Sequence, residues 1–341
     1  MKKLLSLVVI MFILVSISAC SSNSSNEQPN DNNEVVNNEM EMVEFKIGIT
    51  VDLDSHYGKG LLEMKRLLEQ YSDNKMTLNI FENSKLGNER DMIEGVSMGT
   101  LDMVLSSTGP LPNFSPMFMI FDLPFIIKDR DAGYKFMDGL KGQEILDSLE
   151  SKNIKGLGFW ENGFRNVTNN EKEIKSPEDI KGLKIRTMEN PIHLASFKQL
   201  GATPTPMAWG EVFTALQQGT IDGQENPLVG IHSTKVYEVQ KYISLTEHFY
   251  SPAVLMVNKS KFDSLSSEMQ DVLIKAEKEA REWEREYCRQ MDTELIQTLK
   301  DEGVVITEVD KSEWQKAVEP VYKEFEDQIP ADLIKALKDS K

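Results

Sequence analysis

The sequence predicts an α/β fold made of two similarly built lobes, with one long helix reaching along both. Three observations lead there. Segments of alternating apolar and polar residues recur between segments whose apolar residues fall at helical spacing, the pattern of parallel sheets covered by helices. A short pattern, Gly99-Thr100-Leu101-Asp102, comes after a predicted helix and returns as Gly219-Thr220-Ile221-Asp222 after another. Residues 266–302 hold a helical apolar stripe without a Gly or Pro, a run of roughly 50 Å at ~1.5 Å per residue and more than one small lobe needs.

The chain opens with Lys2 and Lys3, an almost wholly apolar run over residues 4–15, and Ile17-Ser18-Ala19-Cys20. A basic start, a short apolar stretch and small residues before a cut describe a secretory signal. As a transmembrane helix the run is too short to span ~30 Å of hydrocarbon. The segment resembles the bacterial lipoprotein signal, which makes residues 1–19 a signal peptide and Cys20 the point of lipid attachment. Ser, Asn, Glu and Gln dominate the next segment, so residues 20–42 are expected to be a flexible tether.

Residues 45–51 alternate as Phe-Lys-Ile-Gly-Ile-Thr-Val and read as a half-buried strand. Leu61, Met64, Leu67, Leu68 and Tyr71 set a helix over 60–71. A strand over 76–81, a helix over 89–98 and a strand over 101–105 come next. Residues 154–160 form another strand, with 164–168 as its continuation. Ser176-Pro177 marks a helix start, with Ser as the cap and Pro in the first turn. After it stand a strand over 184–187 and a helix over 192–200. The two prolines in 201–207 predict a loop, succeeded by a helix over 211–218 and a short strand over 254–257. In the long helix the stripe runs from Met269 and Leu273 through Trp283 and Tyr287 to Leu295 and Leu299. Ser267 with Gln270 offers a capping box at its start, and Gly303 ends it.

A net charge of −17 argues against nucleic acid, which calls for a basic face. With Cys20 lipidated, Cys288 has no partner, so no disulfide is expected and Cys288 reads as a small packed residue. No Walker loop, GxSxG or HExxH pattern occurs, and Gly156-Leu157-Gly158 lacks the third Gly of a dinucleotide loop. His56, His193, His232 and His248 have no metal-ligand spacing. Neither catalysis nor a cofactor or metal is expected. In so acidic a chain the arginines are informative, because a guanidinium matches a carboxylate bidentately. Arg281, Arg285 and Arg289 sit on a regular helix face and are expected to be solvated. Arg165, within Asn162-Gly163-Phe164-Arg165-Asn166-Val167-Thr168, and Arg186, within Lys181-Gly182-Leu183-Lys184-Ile185-Arg186-Thr187, lie at strand ends or loops that an organic anion can reach. For either one a structural ion pair is the competing reading.

Further stretches are Ser84-Lys85-Leu86-Gly87-Asn88-Glu89, Phe121-Asp122-Leu123-Pro124-Phe125 and Ser176-Pro177-Glu178-Asp179-Ile180 leading to Arg186. The densest are Leu200-Gly201-Ala202-Thr203-Pro204-Thr205-Pro206-Met207-Ala208-Trp209 and Gln217-Gln218-Gly219-Thr220-Ile221-Asp222-Gly223-Gln224-Glu225-Asn226-Pro227. Together with Gly163-Phe164-Arg165-Asn166, these resemble the extracytoplasmic solute receptors of tripartite ATP-independent periplasmic (TRAP) transporters, of the C4-dicarboxylate-binding type, from residue 45 to about 322. The resemblance implies a two-lobed, periplasmic-binding-protein-like fold with the ligand in a cleft. Lobe I would hold 43–162 plus 251–290, and lobe II 163–250 plus 291–341. It gives Arg186 the part of carboxylate clamp, Arg165 a second contact, Asn226 a place in the pocket and Trp209 a wall beside the ligand. Sialic-acid-binding relatives carry a Glu near the position of Ser107, which turns the expectation away from sialic acid. Glu89 and His56 are candidates to reach the cleft, with a surface position as the competing reading for each. The implied function is extracytoplasmic capture of a small organic acid, a C4-dicarboxylate or a sugar acid, by a membrane-tethered protein. TRAP permease subunits would then import the acid with a cation gradient. A sensory protein for the same acids is the alternative.

Overall fold

Two units of one construction flank a pair of long strands in the computed structural model, which describes residues 42–340. The predicted signal peptide, Cys20 and nearly all of the predicted tether lie outside the described residues. In the first unit β1 (Val43–Gly48), α1 (His56–Tyr71), β2 (Met76–Phe81), α2 (Glu89–Met98) and β3 (Met103–Ser107) give a parallel sheet in the order β2-β1-β3. Helices α3 (Arg130–Met137) and α4 (Leu140–Asp147) lead to the first long strand, β4 (Ile154–Asn169). The second unit repeats the scheme. Its β5 (Lys184–Thr187), α5 (Pro191–Gln199), β6 (Thr203–Pro206), α6 (Trp209–Gln217) and β7 (Gly223–Asn226) are ordered β6-β5-β7. After α7 (Leu228–Ser233) comes the second long strand, β8 (Tyr242–Asn258). The chain then runs through α8 (Lys259–Asp263), α9 (Ser267–Asp301), β9 (Val305–Glu308), α10 (Lys311–Phe325) and α11 (Ala331–Asp339).

The repeated four residues mark this duplication physically. Gly99 and Gly219 end α2 and α6 in the left-handed conformation, at φ +76° and +69°. The aspartates three residues on then hold a neighbouring strand in the same way. Asp102 accepts the Lys46 N–H at 2.9 Å, and Asp222 accepts the Lys184 N–H at 2.8 Å.

The expected parallel sheets are present within each unit, but the strands that join the units pair antiparallel. β4 and β8 run antiparallel along their lengths, β3 pairs antiparallel with β8, and β7 pairs antiparallel with β4. With β9 parallel to β8, the described residues form one mixed sheet of nine strands. The predicted strand 254–257 is the end of a 17-residue strand, whose earlier part is masked in the sequence by Thr246, Glu247, His248 and Pro252 breaking the apolar run. The predicted loop 201–207 contains β6, an edge strand where the missing N–H of a proline leaves no ladder bond unmade.

Helix α9 differs from its predicted stripe in the middle. Ser266 rather than Ser267 caps it, accepting the Met269 N–H, while Gln270 donates to the carbonyls of Phe262 and Leu265. Leu273, Ala276, Ala280, Leu295 and Leu299 are buried as expected, but Trp283 is 41% exposed and stacks on Tyr287. Glu277, Glu284, Arg285 and Cys288 occupy the inward positions instead. The reason is the polar middle of β4 beneath them. The Trp160 indole N–H donates to Glu277, the Glu161 N–H to Glu284 at 3.0 Å, and Arg285 to the Phe159 carbonyl. Arg281 and Arg285 are therefore not solvated; both pair with Asp138, and Arg289 alone of the three keeps a largely open side chain, against Asp131. Among the described residues no helix is long and apolar enough to cross a membrane.

Apolar side chains of α1 and α9 fill the first unit's sheet face, and those of α6, α7 and α9 fill the second's. A larger core on the opposite face joins α2 to α5 and the C-terminal helices. This leaves the carboxyl ends of the parallel strands of both units facing each other, the place where open α/β sheets bind ligands.

Candidate functional site

A cavity lies where those strand ends meet, with about 430 Å³ free of protein atoms, open solvent at its mouth included. Much of the wall comes from residues at or just beyond the end of a strand. His56 and Tyr57 begin α1 after β1, Glu89 begins α2 after β2, and Ser107 ends β3. From the second unit come Arg186 in β5, Trp209 at the start of α6 and Asn226 at the end of β7. Asn162 and Arg165 project from β4. The structure thus brings together in one cavity all seven residues singled out from the sequence: Arg186, Arg165, Asn226, Trp209, Ser107, Glu89 and His56. Cys20 lies outside the described residues.

Arg186 is 3% exposed, yet among the described residues no carboxylate pairs with it. Its Nε and Nη2 both donate to the Met207 carbonyl, at 2.9 and 2.7 Å, and its guanidinium lies 5.4 Å from the centre of the Trp209 ring. Of the five N–H donors of a guanidinium, this leaves the second Nη2–H and both Nη1–H without an acceptor among the described residues. Burial lowers its pKa to about 10, because the Glu225 charge, already engaged elsewhere, only partly offsets the lost hydration. The group remains a cation, held rigidly at one edge and open at the other.

Arg165 sits differently. Its Nη2 donates to Glu225 Oε1 at 2.8 Å and to the Glu225 carbonyl at 2.7 Å, and its Nε pairs with Oε2 of the same carboxylate. Although burial works against the Glu225 charge, the adjacent guanidinium and the His248 ring hold its carboxyl well below the usual range. His248 is fixed in turn by Thr246 at 2.7 Å, and its burial lowers its own pKa. The expectation of a ligand contact from Arg165 meets an arginine that lines the cavity but already has an internal counter-ion. Gln224 donates to Thr168, so the three residues Gln224, Glu225 and Asn226 anchor β7 while Asn226 faces the cavity.

The wall formed by the first unit carries polar atoms without partners. Both ring nitrogens of His56 and the Tyr57 hydroxyl are buried and have no well-formed hydrogen bond among the described residues, although Asn162 stands close enough to the imidazole to interact with it. Burial lowers the His56 pKa to about 3, with Asn162 pulling weakly the other way, so the ring is neutral. Burial also keeps the Tyr57 phenol protonated. Glu89 accepts the Ser107 N–H at 2.8 Å, and the Ser107 hydroxyl lies 3.9 Å from the Met188 sulfur. Tyr57, Asn162 and Met188 were not singled out from the sequence. Asn162 stands inside the arginine segment 162–168 and was within reach of that reading, whereas Tyr57 and Met188 come after a helix cap and a strand and carry no local signal. Among the described residues no group of three His, Cys, Asp or Glu side chains is placed to hold a metal.

A profile of the family described as "Bacterial extracellular solute-binding protein, family 7" (DctP) matches residues 47–328. The 2,3-diketo-L-gulonate-binding periplasmic protein YiaO of Escherichia coli K12 is 41% identical over 275 residues, which are 80% of this chain and 84% of that protein. Among solved structures, a TRAP periplasmic solute-binding protein of Polaromonas sp. JS666 bound to D-erythronate is similar with a TM-score of 0.85 at 43% identity. It covers 87% of this chain and 98% of its own. The sugar acid binding protein DctPAm of Advenella mimigardefordensis, in complex with galactonate, also has a TM-score of 0.85, at 35% identity over 88% of this chain and 98% of its own. These neighbours share the two-lobed periplasmic-binding-protein-like architecture. By its profile match and by relatives of this closeness, the chain belongs to family 7 of the bacterial extracellular solute-binding proteins.

Proposed function

We propose that this protein captures a sugar acid outside the cell, gripping its carboxylate with Arg186, and delivers it to TRAP permease subunits for cation-coupled import. One observation carries the grip: a buried guanidinium without a counter-ion, whose free edge opens on the cavity. A carboxylate supplies the missing charge, and each charge-assisted hydrogen bond contributes ~1.5–3 kcal/mol. Trp209 packs beside the clamp, and Asn226 and the remaining edge of Arg165 stand next to it.

The opposite wall favours a hydroxylated tail over a second carboxylate. His56, Tyr57, Asn162 and Ser107 offer no positive charge, and the one acidic side chain beside them, Glu89, gives a second carboxylate no partner. Unpartnered donors and acceptors suit hydroxyls, as on the D-erythronate and galactonate of the two similar structures. A C4-dicarboxylate would leave its second charge without a cation. In this reading the lobes are 43–162 plus 251–290 and 163–250 plus 291–341. The loss of β4–β8 register between Glu161 and Gly163, with Gly163 at φ +121°, supports the boundaries in those two strands. Lipid attachment at Cys20 would keep the receptor at the membrane.

A thermal-shift screen of the purified protein with D-erythronate, galactonate, glucuronate, succinate and malate, backed by calorimetry, tests the reading. A bound acid raises the melting temperature by mass action. Stabilisation by a sugar acid and not by succinate is expected. Equal stabilisation by succinate removes the sugar-acid specificity, and a response to no acid removes the receptor function.

A further inference from the structure

A buried polar bridge joins the two units beside the cavity without lining it. Asp122 ends a short 3₁₀ segment, Pro116–Asp122, that lies beyond β3 in the chain. Asn190 and His193 stand at the start of α5 in the second unit. Asn190 Nδ2 donates to Asp122 Oδ2 at 2.7 Å and to the Gly109 carbonyl at 2.9 Å. His193 Nε2 lies 3.0 Å from Asp122 Oδ1. All three side chains are under 4% exposed. The other ring nitrogen of His193 is buried without a partner among the described residues, so Nε2 is the nitrogen that meets the carboxylate and donates to it. The same two loops touch once more. Gly109 lies so close to Met188 that a Cβ there would fall 2.6 Å from the sulfur. Met188 lines the cavity, whereas Asp122, Asn190 and His193 do not.

We propose that Asp122, Asn190 and His193 form a ligand-independent latch that draws the second unit onto the first behind the acid site and sets how much of the protein is closed before ligand arrives. This rests on the reading that an acid is captured by closure of two lobes. Separating the loops would strand a carboxylate, an amide and an imidazole that satisfy one another only when the units meet. Hydrogen bonds to a charged group are the strong ones, so the bridge biases the equilibrium toward the closed form. Apparent affinity scales with the fraction of protein already competent to bind, so residues that never touch the ligand tune its capture. Asn190 does this as a positioning residue. Its Oδ1 caps α5 by accepting the Ile192 and His193 N–H groups, while its Nδ2 makes the bridge.

The dual role of Asn190 supplies the test. Asn190→Ser keeps a capping oxygen but is too short to reach Asp122. Asp122→Asn keeps the size but not the charge, and serves as the second variant if the first misfolds. Small-angle scattering of the full protein without any added acid should show a larger radius of gyration for either variant than for wild type. Calorimetry with D-erythronate should show affinity weakened about tenfold. Unchanged ligand-free scattering with D-erythronate affinity within about twofold would reduce the bridge to a fold contact, even if the melting temperature fell. Should the wild-type protein bind neither D-erythronate nor any other acid, the receptor reading fails, and the ligand-free scattering still decides the latch.

Discussion

Arg165 and Arg186 are both almost wholly buried, both border the same cavity, and each uses Nε and Nη2 to hold a fixed acceptor. What separates them is the acceptor's charge. Arg165 meets the Glu225 carboxylate, and Arg186 meets a main-chain carbonyl and an indole ring. A buried arginine with its own carboxylate braces two strands, while one without a carboxylate is a place where an anion is missing. Burial alone does not tell a brace from a clamp; the counter-ion does.

The sharpest way to break this distinction is to remove the brace's anion. Glu225→Gln leaves the Arg165 charge buried and uncompensated, and chemical denaturation should show a loss of about 3–5 kcal/mol. Arg165→Met should cost stability for the mirror reason, and combining it with Glu225→Gln should restore part of the loss. A Glu225→Gln protein as stable as wild type would place Arg165 with Arg186 as a second open cation.

Arg186 should behave in the opposite way. Arg186→Met removes no ion pair, so ligand-free stability should stay within about 1 kcal/mol of wild type. Arg186→Lys retains the charge without the planar fork, and calorimetry with D-erythronate should show at least a tenfold loss, about 1.4 kcal/mol. Unaltered affinity would take the clamp away from this residue.

A buried anion without a counter-ion tests the same rule with the sign reversed. Glu284 accepts the Glu161 N–H and, among the described residues, is not bonded to any cation; burial, with the Glu161 carboxylate nearby, raises its pKa from 4.5 to about 8. The folded protein therefore keeps a proton that the unfolded chain releases. The stability this gives is complete below pH 4.5 and is lost as pH rises toward about 8. Glu284→Gln, neutral at every pH, should melt higher than wild type at pH 8, by on the order of 1–3 kcal/mol, and much like it at pH 4. A parallel melting profile for the two proteins would show that Glu284 is ionised in the fold.

The smallest expected effect is the absence of one. His56 is neutral well above its lowered pKa of about 3. Affinity for D-erythronate should therefore change by less than about twofold between about pH 5 and pH 8. A titration centred near pH 6 would make His56 a second cation of the site and reopen the case for a dicarboxylate.

How much of this was legible in the sequence depends on what local patterns encode. Helices α2 and α9 and strands β2 and β5 came out within a residue or so, because their periodicity and caps are local. The Gly-Thr-x-Asp echo pointed to two like units, and the structure gives the aspartates matching tasks. Pairing direction stayed hidden: β4 and β8 read as ordinary segments, and nothing nearby in sequence tells β3 to meet a strand about 150 residues later. In α9 the exposed Trp283 and buried Glu284 invert hydropathy, since a polar stretch of β4 lies beneath. The site residues were reached through motif resemblance, which brought out Arg186 and Arg165 alike. That one is free and the other engaged depends on Glu225, 60 residues beyond Arg165 in a different strand, and only coordinates reveal it.

The strands β4 and β8 complete both units at once, with β3 resting on the far end of β8 and β7 on the far end of β4. Neither unit is thus a consecutive stretch of polypeptide. During synthesis the first three strands wait for residues up to 258 before their sheet gains its outer partner, and contacts so distant along a chain form slowly. An early stop ahead of residue 242 would deprive both units of a strand together. This molecule has no working half to salvage, and fragments made to isolate a single lobe would have to be circularly rearranged to contain one.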